Sequence, residues 1–124
     1  MASILMIDGD GLYCDVVEQV LADQGHAVVT AQNCAEGIAL CRALSPDLVI
    51  ADMRTPDTDA EGIIRSIRAI NNQVRIIALS AAATIRAADF DKMSKNLGAD
   101  AAVHKLDPLG RLIAEVRALV RSPA

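Results

Sequence analysis

Aromatic side chains are nearly missing from this 124-residue chain: Tyr13 and Phe90 are the only two, and there is no Trp. Readers of single-stranded nucleic acid stack bases on aromatic platforms, which this chain hardly has. An excess of positive charge is missing too. Twelve Lys and Arg face sixteen Asp and Glu, for a net charge of −4, which speaks against charge-driven binding to nucleic acid or to an anionic membrane. The three cysteines, Cys14, Cys34 and Cys41, form no Cys-x-x-Cys pair. That pattern predicts free thiols in a reducing, cytoplasmic setting. No apolar run approaches the roughly 18 to 20 residues of a membrane span. The opening apolar run, 4–7, has no basic segment before it and stops at Asp8, unlike a secretory signal.

What is present is aliphatic and rich in Asp. Hydrophobic residues make up 52% of the chain. Twelve of the sixteen acids are Asp and four are Glu; Asp favours caps, loops and sites over helix interiors. The length predicts one domain, residues 1–124.

Short apolar runs alternate with longer amphipathic stretches. Runs at 4–7, 26–31, 47–52, 74–80 and 101–104 read as strands, apolar on both faces where sheets are covered on both sides. Between them, apolar residues recur at helical spacing: Leu12, Val16, Val17, Val20 and Leu21; Ile38, Cys41 and Leu44; Ile63, Ile64, Ile67 and Ile70; Phe90, Met93 and Leu97; and finally Leu109, Leu112, Ile113, Val116, Leu119 and Val120. Asn33 with Glu36 has the form of a capping box, Gly25 and Gly98 suit helix C-termini, and Pro108 suits the first turn of the last helix. Residues 53–59 read as a loop, and the Ala-rich 81–88 as a looser, mobile connection. Five strands and five helices in strict alternation imply parallel pairing and right-handed crossovers: an α/β, doubly wound sandwich.

Ligands of such sheets bind beyond the carboxyl ends of the strands. Asp8 and Asp10 follow the first strand, Asp52 ends the third, Ser80 the fourth, and His104-Lys105 the fifth. Clustered carboxylates suit an oxygen-seeking divalent cation such as Mg²⁺, and a lysine beside them suits a phosphate. Together these groups describe a site for phosphoryl transfer, in which a carboxylate can itself be the acceptor. Asp57 and Asp59 read as loop and N-cap residues, and Cys34 and Cys41, seven apart on one helix face, as small buried apolar groups rather than a metal or redox pair.

The chain resembles the receiver domain of two-component response regulators from Ser3 to about Val120. The resemblance is carried by Ile4-Leu5-Met6-Ile7-Asp8, by Pro46-Asp47-Leu48-Val49-Ile50-Ala51-Asp52 with Pro56 and Asp59 after it, by Ile76-Ile77-Ala78-Leu79-Ser80-Ala81, and by Gly98-Ala99-Asp100 leading to Lys105. It implies a flavodoxin-like three-layer sandwich with the five strands in the order 2-1-3-4-5. It also implies that Asp52 is the phosphoacceptor, that Ser80 and Lys105 engage the phosphoryl group, and that Asp8, Asp52 and the Arg54 backbone carbonyl hold Mg²⁺. The implied donor is a phosphohistidine on a histidine kinase or a histidine phosphotransfer protein. A stand-alone receiver of this kind would act through a downstream protein.

The chain departs from the family pattern in four places. Gly9 stands where a second acid is usual, so Mg²⁺ affinity should fall unless Asp10 replaces it as a ligand across the permissive Gly9–Gly11 loop. Leu106 follows Lys105 where Pro is usual, which puts the family's cis peptide in question. Ala102 stands where the family often has a switch aromatic. The spacing from Ser80 to Gly98 is longer than usual. Two other readings stay open. One is a degenerate receiver that works by binding alone, without phosphorylation. The other is a haloacid-dehalogenase-like phosphatase with Asp8 as nucleophile, since Asp8-Gly9-Asp10-Gly11 is similar to that family's Asp-x-Asp-Gly motif; it leaves Asp52 unexplained.

Overall fold

A computed structural model of the chain describes residues 2–81 and 86–121. In chain order the elements are β1 (Ser3–Ile7), α1 (Gly11–Asp23), β2 (Ala27–Ala31), α2 (Cys34–Leu44), β3 (Leu48–Asp52), β4 (Arg54–Thr55), β5 (Thr58–Asp59), α3 (Ala60–Ile70), β6 (Arg75–Ser80), α4 (Ala87–Leu97), β7 (Ala101–His104) and α5 (Leu109–Arg121). Five strands form one sheet in the order β2-β1-β3-β6-β7, every pairing parallel. Apart from the two-residue strands β4 and β5, this is the doubly wound order expected.

Alternation along the strands divides the core in two. Leu5, Ile7, Val49, Ala51, Ile76 and Ala78 face one side and pack with Cys34 and Cys41 of α2, Ile63, Ile64 and Ile67 of α3, and Phe90 of α4. Ile4, Met6, Leu48, Ile50, Ile77 and Leu79 face the other and pack with Cys14, Val17 and Leu21 of α1 and Leu112 and Val116 of α5. The result is three layers with no aromatic in the second core half except the half-buried Tyr13.

The caps follow the sequence closely. Asn33 accepts the Glu36 N–H at 2.8 Å, and Asp59 accepts the Gly62 N–H at 3.0 Å. Gly25 and Gly98 adopt φ values of +91° and +115°, a conformation that costs Gly little and other residues more. All three cysteines are buried and free.

Several expectations need correction. The segment 53–59 is an antiparallel hairpin of β4 and β5, paired Arg54 with Asp59 and Thr55 with Thr58. On α1, Leu12 and Val16 lie outside, 80% and 52% exposed; the stripe facing the sheet is Cys14, Val17 and Leu21, whose i, i+3, i+7 spacing brings them to one face. On α4, Ser94 is fully buried beside Phe90 whereas Met93 is on the surface. No cis peptide occurs among the described residues, including the bond after Lys105. The expected mobility of 81–88 falls partly on residues outside those described. Among the described residues no helix is long and apolar enough to cross a membrane.

Candidate functional site

Parallel strands deliver the expected residues to one sheet edge. Asp8 follows β1, and its N–H is held by the Ala31 carbonyl of β2 at 2.9 Å. Asp52 is the last residue of β3, and Ser80, 8% exposed, the last of β6. Lys105 follows β7, and its N–H donates to the Ser80 carbonyl at 2.8 Å, which fixes where its side chain starts.

The side chains then meet. The Lys105 ammonium lies 2.5 Å from Asp8 Oδ2 and 3.0 Å from Asp52 Oδ2, bridging the two carboxylates. Lys105 is only 10% exposed at its side chain and Asp52 13%. Asp8 is 1% exposed. Burial pushes the Asp8 carboxyl above its ordinary value, against the pull of Lys105 and of the Asp10 N–H. For Lys105 burial alone would lower the value, but hydrogen bonds to Asp8 and Asp52 outweigh it and hold the ammonium protonated. The ring of Tyr13 covers the same ammonium, with 5.0 Å from Nζ to its centroid.

Each carboxylate is also oriented by backbone. Asp8 Oδ1 accepts the Asp10 N–H at 2.9 Å. Asp52 Oδ1 accepts the Arg54 N–H at 3.0 Å, so the first residue of the β4–β5 hairpin is folded back toward the carboxylate. The hairpin is itself pinned: Asp57 accepts N–H bonds from Cys34 at 2.9 Å and Ala35 at 3.0 Å, and the Thr55 hydroxyl at 3.0 Å. Asp57 was expected as a loop residue and has this reach across to α2. Nothing local in the sequence signals it, because its partners lie 22 and 23 positions away.

Asp10 is committed elsewhere. Its Oδ1 caps α1 by accepting the Leu12 and Tyr13 N–H groups at 3.1 and 3.2 Å. Among the described residues no three His, Cys, Asp or Glu side chains cluster as a metal site would require of protein ligands alone. Two carboxylates are present, which matches the sparse protein ligation Mg²⁺ accepts when waters complete its shell. Asp8 fits that use: its carboxylate is buried beside that of Asp52, and the two share the Lys105 ammonium as counter-charge. After Lys105 the chain turns sharply, with Leu106 N–H donating to His104 Nδ1 at 3.0 Å and Asp107 accepting the His104 N–H at 3.4 Å. These bonds shape the turn in the absence of Pro. A cavity of about 470 Å³ opens beside Asp52, lined by Met53, Ala60, Ser80, Ala81, Phe90 and Met93 among others.

Comparison with known proteins places the arrangement. The family model described as "Response regulator receiver domain" matches residues 4–117. The transcriptional regulatory protein AfsQ1 of Streptomyces coelicolor is 36% identical over 124 residues, covering 98% of this chain and 52% of that protein. The transcriptional regulatory protein PrrA of Mycobacterium tuberculosis is 30% identical over 118 residues, 95% of this chain and 49% of that protein. The chain therefore spans about half the length of these curated relatives. Among solved structures, a two-component response regulator from Clostridium difficile superposes with a TM-score of 0.87 at 26% identity, covering 98% of this chain and 97% of that one. The non-phosphorylated HemR receiver domain of Leptospira biflexa gives 0.87 at 20% identity over 100% and 98% of the two chains, a likeness of fold. With β1, β3, β6 and β7 each bringing the matching residue to one edge, the chain belongs to the response regulator receiver domain family of two-component signal transduction.

Proposed function

We propose that this receiver accepts a phosphoryl group on Asp52 from a phosphohistidine on a histidine kinase or histidine phosphotransfer protein. The observation that carries the reading is the Lys105 ammonium, 3.0 Å from Asp52 and 2.5 Å from Asp8. In the reaction, an Asp52 carboxylate oxygen attacks phosphorus, the phosphorus–nitrogen bond breaks, and the donor imidazole leaves. Such transfers depend on positioning and charge neutralisation more than on covalent chemistry. In this reading Lys105 would take up charge on the transferred group, Ser80 would give it a hydroxyl contact, and the Arg54 N–H, which donates to Asp52 Oδ1, would orient Asp52. Asp8, Asp52 and the Arg54 carbonyl would hold Mg²⁺, which when bound neutralises charge between the carboxylates and the phosphoryl group. Gly9 removes one usual acid and Asp10 spends one oxygen on its cap, so we expect weak Mg²⁺ affinity.

The exposed Leu12 and Val16 of α1 and Leu106 after Lys105 supply apolar surface on elements that flank the site, suited to a protein donor. The downstream partner would be another protein. A phosphatase acting through Asp8 would need Asp10 as its proton carrier. The cap bonds to Leu12 and Tyr13 and the salt-bridged, buried Asp8 favour the receiver reading instead.

A small acyl phosphate with Mg²⁺ should add one adduct of about 80 Da to the intact chain as the acyl-phosphate intermediate forms, and none to Asp52→Ala. A wild-type chain that stays unmodified under those conditions favours the binding-only receiver. Sustained Mg²⁺-dependent turnover of p-nitrophenyl phosphate, lost in Asp8→Ala, favours the phosphatase.

A further inference from the structure

We propose that Tyr13 is the positioning residue for the Lys105 ammonium, its ring face holding Lys105 at the Asp8–Asp52 edge. The inference rests on the phosphoacceptor reading for its kinetic consequence, though not for the contact itself.

Among the described residues the ammonium meets the Asp8 carboxylate, the Asp52 carboxylate and the Tyr13 ring at 5.0 Å. Two of them change character when a phosphoryl group arrives. Asp52 becomes an acyl phosphate, its attacking oxygen bonded to phosphorus and no longer a negative partner, and a divalent cation at Asp8 competes for the same carboxylate charge. The ring face does not change. It attracts a cation through its quadrupole in every state of the site, and more strongly where water is scarce. Lysine carries several rotatable bonds and much rotamer entropy, so an ammonium released by its carboxylates needs something to keep it near the transferred phosphoryl group.

The placement of Tyr13 is secured by the chain around it. Its N–H is capped by Asp10 Oδ1, its body packs on the core formed with α5, and burial pushes its hydroxyl above the ordinary value. Tyr13 therefore sits as a neutral, half-buried ring. Phe90, the other aromatic, lies in the opposite core half, so Tyr13 alone of the two meets Lys105.

The test compares the full chain with Tyr13→Leu and Tyr13→Phe. Phosphorylation by acetyl phosphate with Mg²⁺ is followed by intact mass across donor concentrations, far-UV spectra confirming that each variant is folded. Loss of a partly desolvated cation–π contact should lower the maximal rate of Tyr13→Leu by about three- to tenfold. The donor concentration for half-maximal rate should stay put, and Tyr13→Phe, which keeps the ring, should restore the rate. A Leu variant at the wild-type rate, or a Phe variant as slow as Leu, overturns the proposal. A second measurement needs no phosphodonor. The Lys105 ε-methylene protons, assigned by their loss in Lys105→Met, should be shifted upfield by the ring current in wild type and Tyr13→Phe and return to the ordinary position in Tyr13→Leu. Identical positions in all three overturn the contact. Should the wild type take no phosphate while this ring-current pattern holds, the phosphoacceptor reading falls and the placement of Lys105 by Tyr13 stands.

Discussion

The carboxylate of Asp57 accepts the backbone N–H of Cys34 at 2.9 Å, joining the tip of the β4–β5 hairpin to the first turn of α2. One acid thus supplies an N-terminal cap to a helix that begins 23 positions earlier, and holds in place the hairpin whose Arg54 N–H orients Asp52.

Removing that tie should loosen both ends. Asp57→Ala is expected to speed hydrogen exchange at the Cys34 and Ala35 amides, with Asp57→Asn intermediate because it keeps an acceptor. Hydrogen bonds from Cys34 and Ala35 hold the Asp57 carboxyl below its ordinary 3.8. As pH falls the unfolded chain binds this proton first, so the contribution is present above pH 3.8 and is lost as pH drops below it. Exchange at Cys34 and Ala35 should rise in acid more than at amides of β3, measured by NMR.

Cys14 should be chemically quiet and pH-dependent in its effect on stability. Burial lifts its thiol from 9.0 to about 11. A hundredfold smaller thiolate fraction should make it react about a hundredfold more slowly with a thiol reagent at pH 8 in the native protein than in denaturant. The unfolded chain releases this proton first as pH rises, so stability should fall by about 2–3 kcal/mol between pH 9 and 11 on this group's account. Cys14→Ala, less stable overall through lost packing, should lack that slope in urea denaturation.

Arg68 of α3 ties the amino ends of β6 and β7 together. Its guanidinium donates to the carbonyls of Val74, Asn72 and Gly98 and pairs with Asp100, which also accepts the Ile76 N–H and meets Arg75. The side chains of Arg68 and Asp100 are 19% and 25% exposed. Arg68→Ala leaves several half-buried carbonyls with fewer partners and should cost about 2–3 kcal/mol. Arg68→Lys, lacking the fork that reaches several acceptors at once, should recover only part of that in the same denaturation experiment.

Residues whose behaviour depends on near neighbours were legible in the sequence. The short apolar runs of β1, β3 and β6, the caps at Asn33 and Asp59, and the glycine stops at 25 and 98 are all local patterns with local causes. The convergence of Asp8, Asp52, Ser80 and Lys105 followed once parallel pairing was inferred, since such pairing brings every strand's carboxyl end to one edge. What stayed hidden depends on distant geometry. Asp57 reaches α2, Tyr13 faces Lys105, and Ser94, whose hydroxyl is fully buried with no hydrogen bond among the described residues, replaces Met93 on the inner face of α4. The exposure of Leu12 and Val16 was hidden for the same reason: an apolar residue at helical spacing reveals a face, and only the packed sheet decides which face is inside.

The central claim is that the phosphoryl group is carried by Asp52. Borohydride reduces an aspartyl phosphate to homoserine, so the chain is incubated with acetyl phosphate and Mg²⁺, reduced and mapped by peptide mass spectrometry. Homoserine is expected at position 52 in the wild type and not in Asp52→Ala, with Asp retained at position 8. Homoserine at position 8, or at neither position while the intact chain gains phosphate, would contradict the claim.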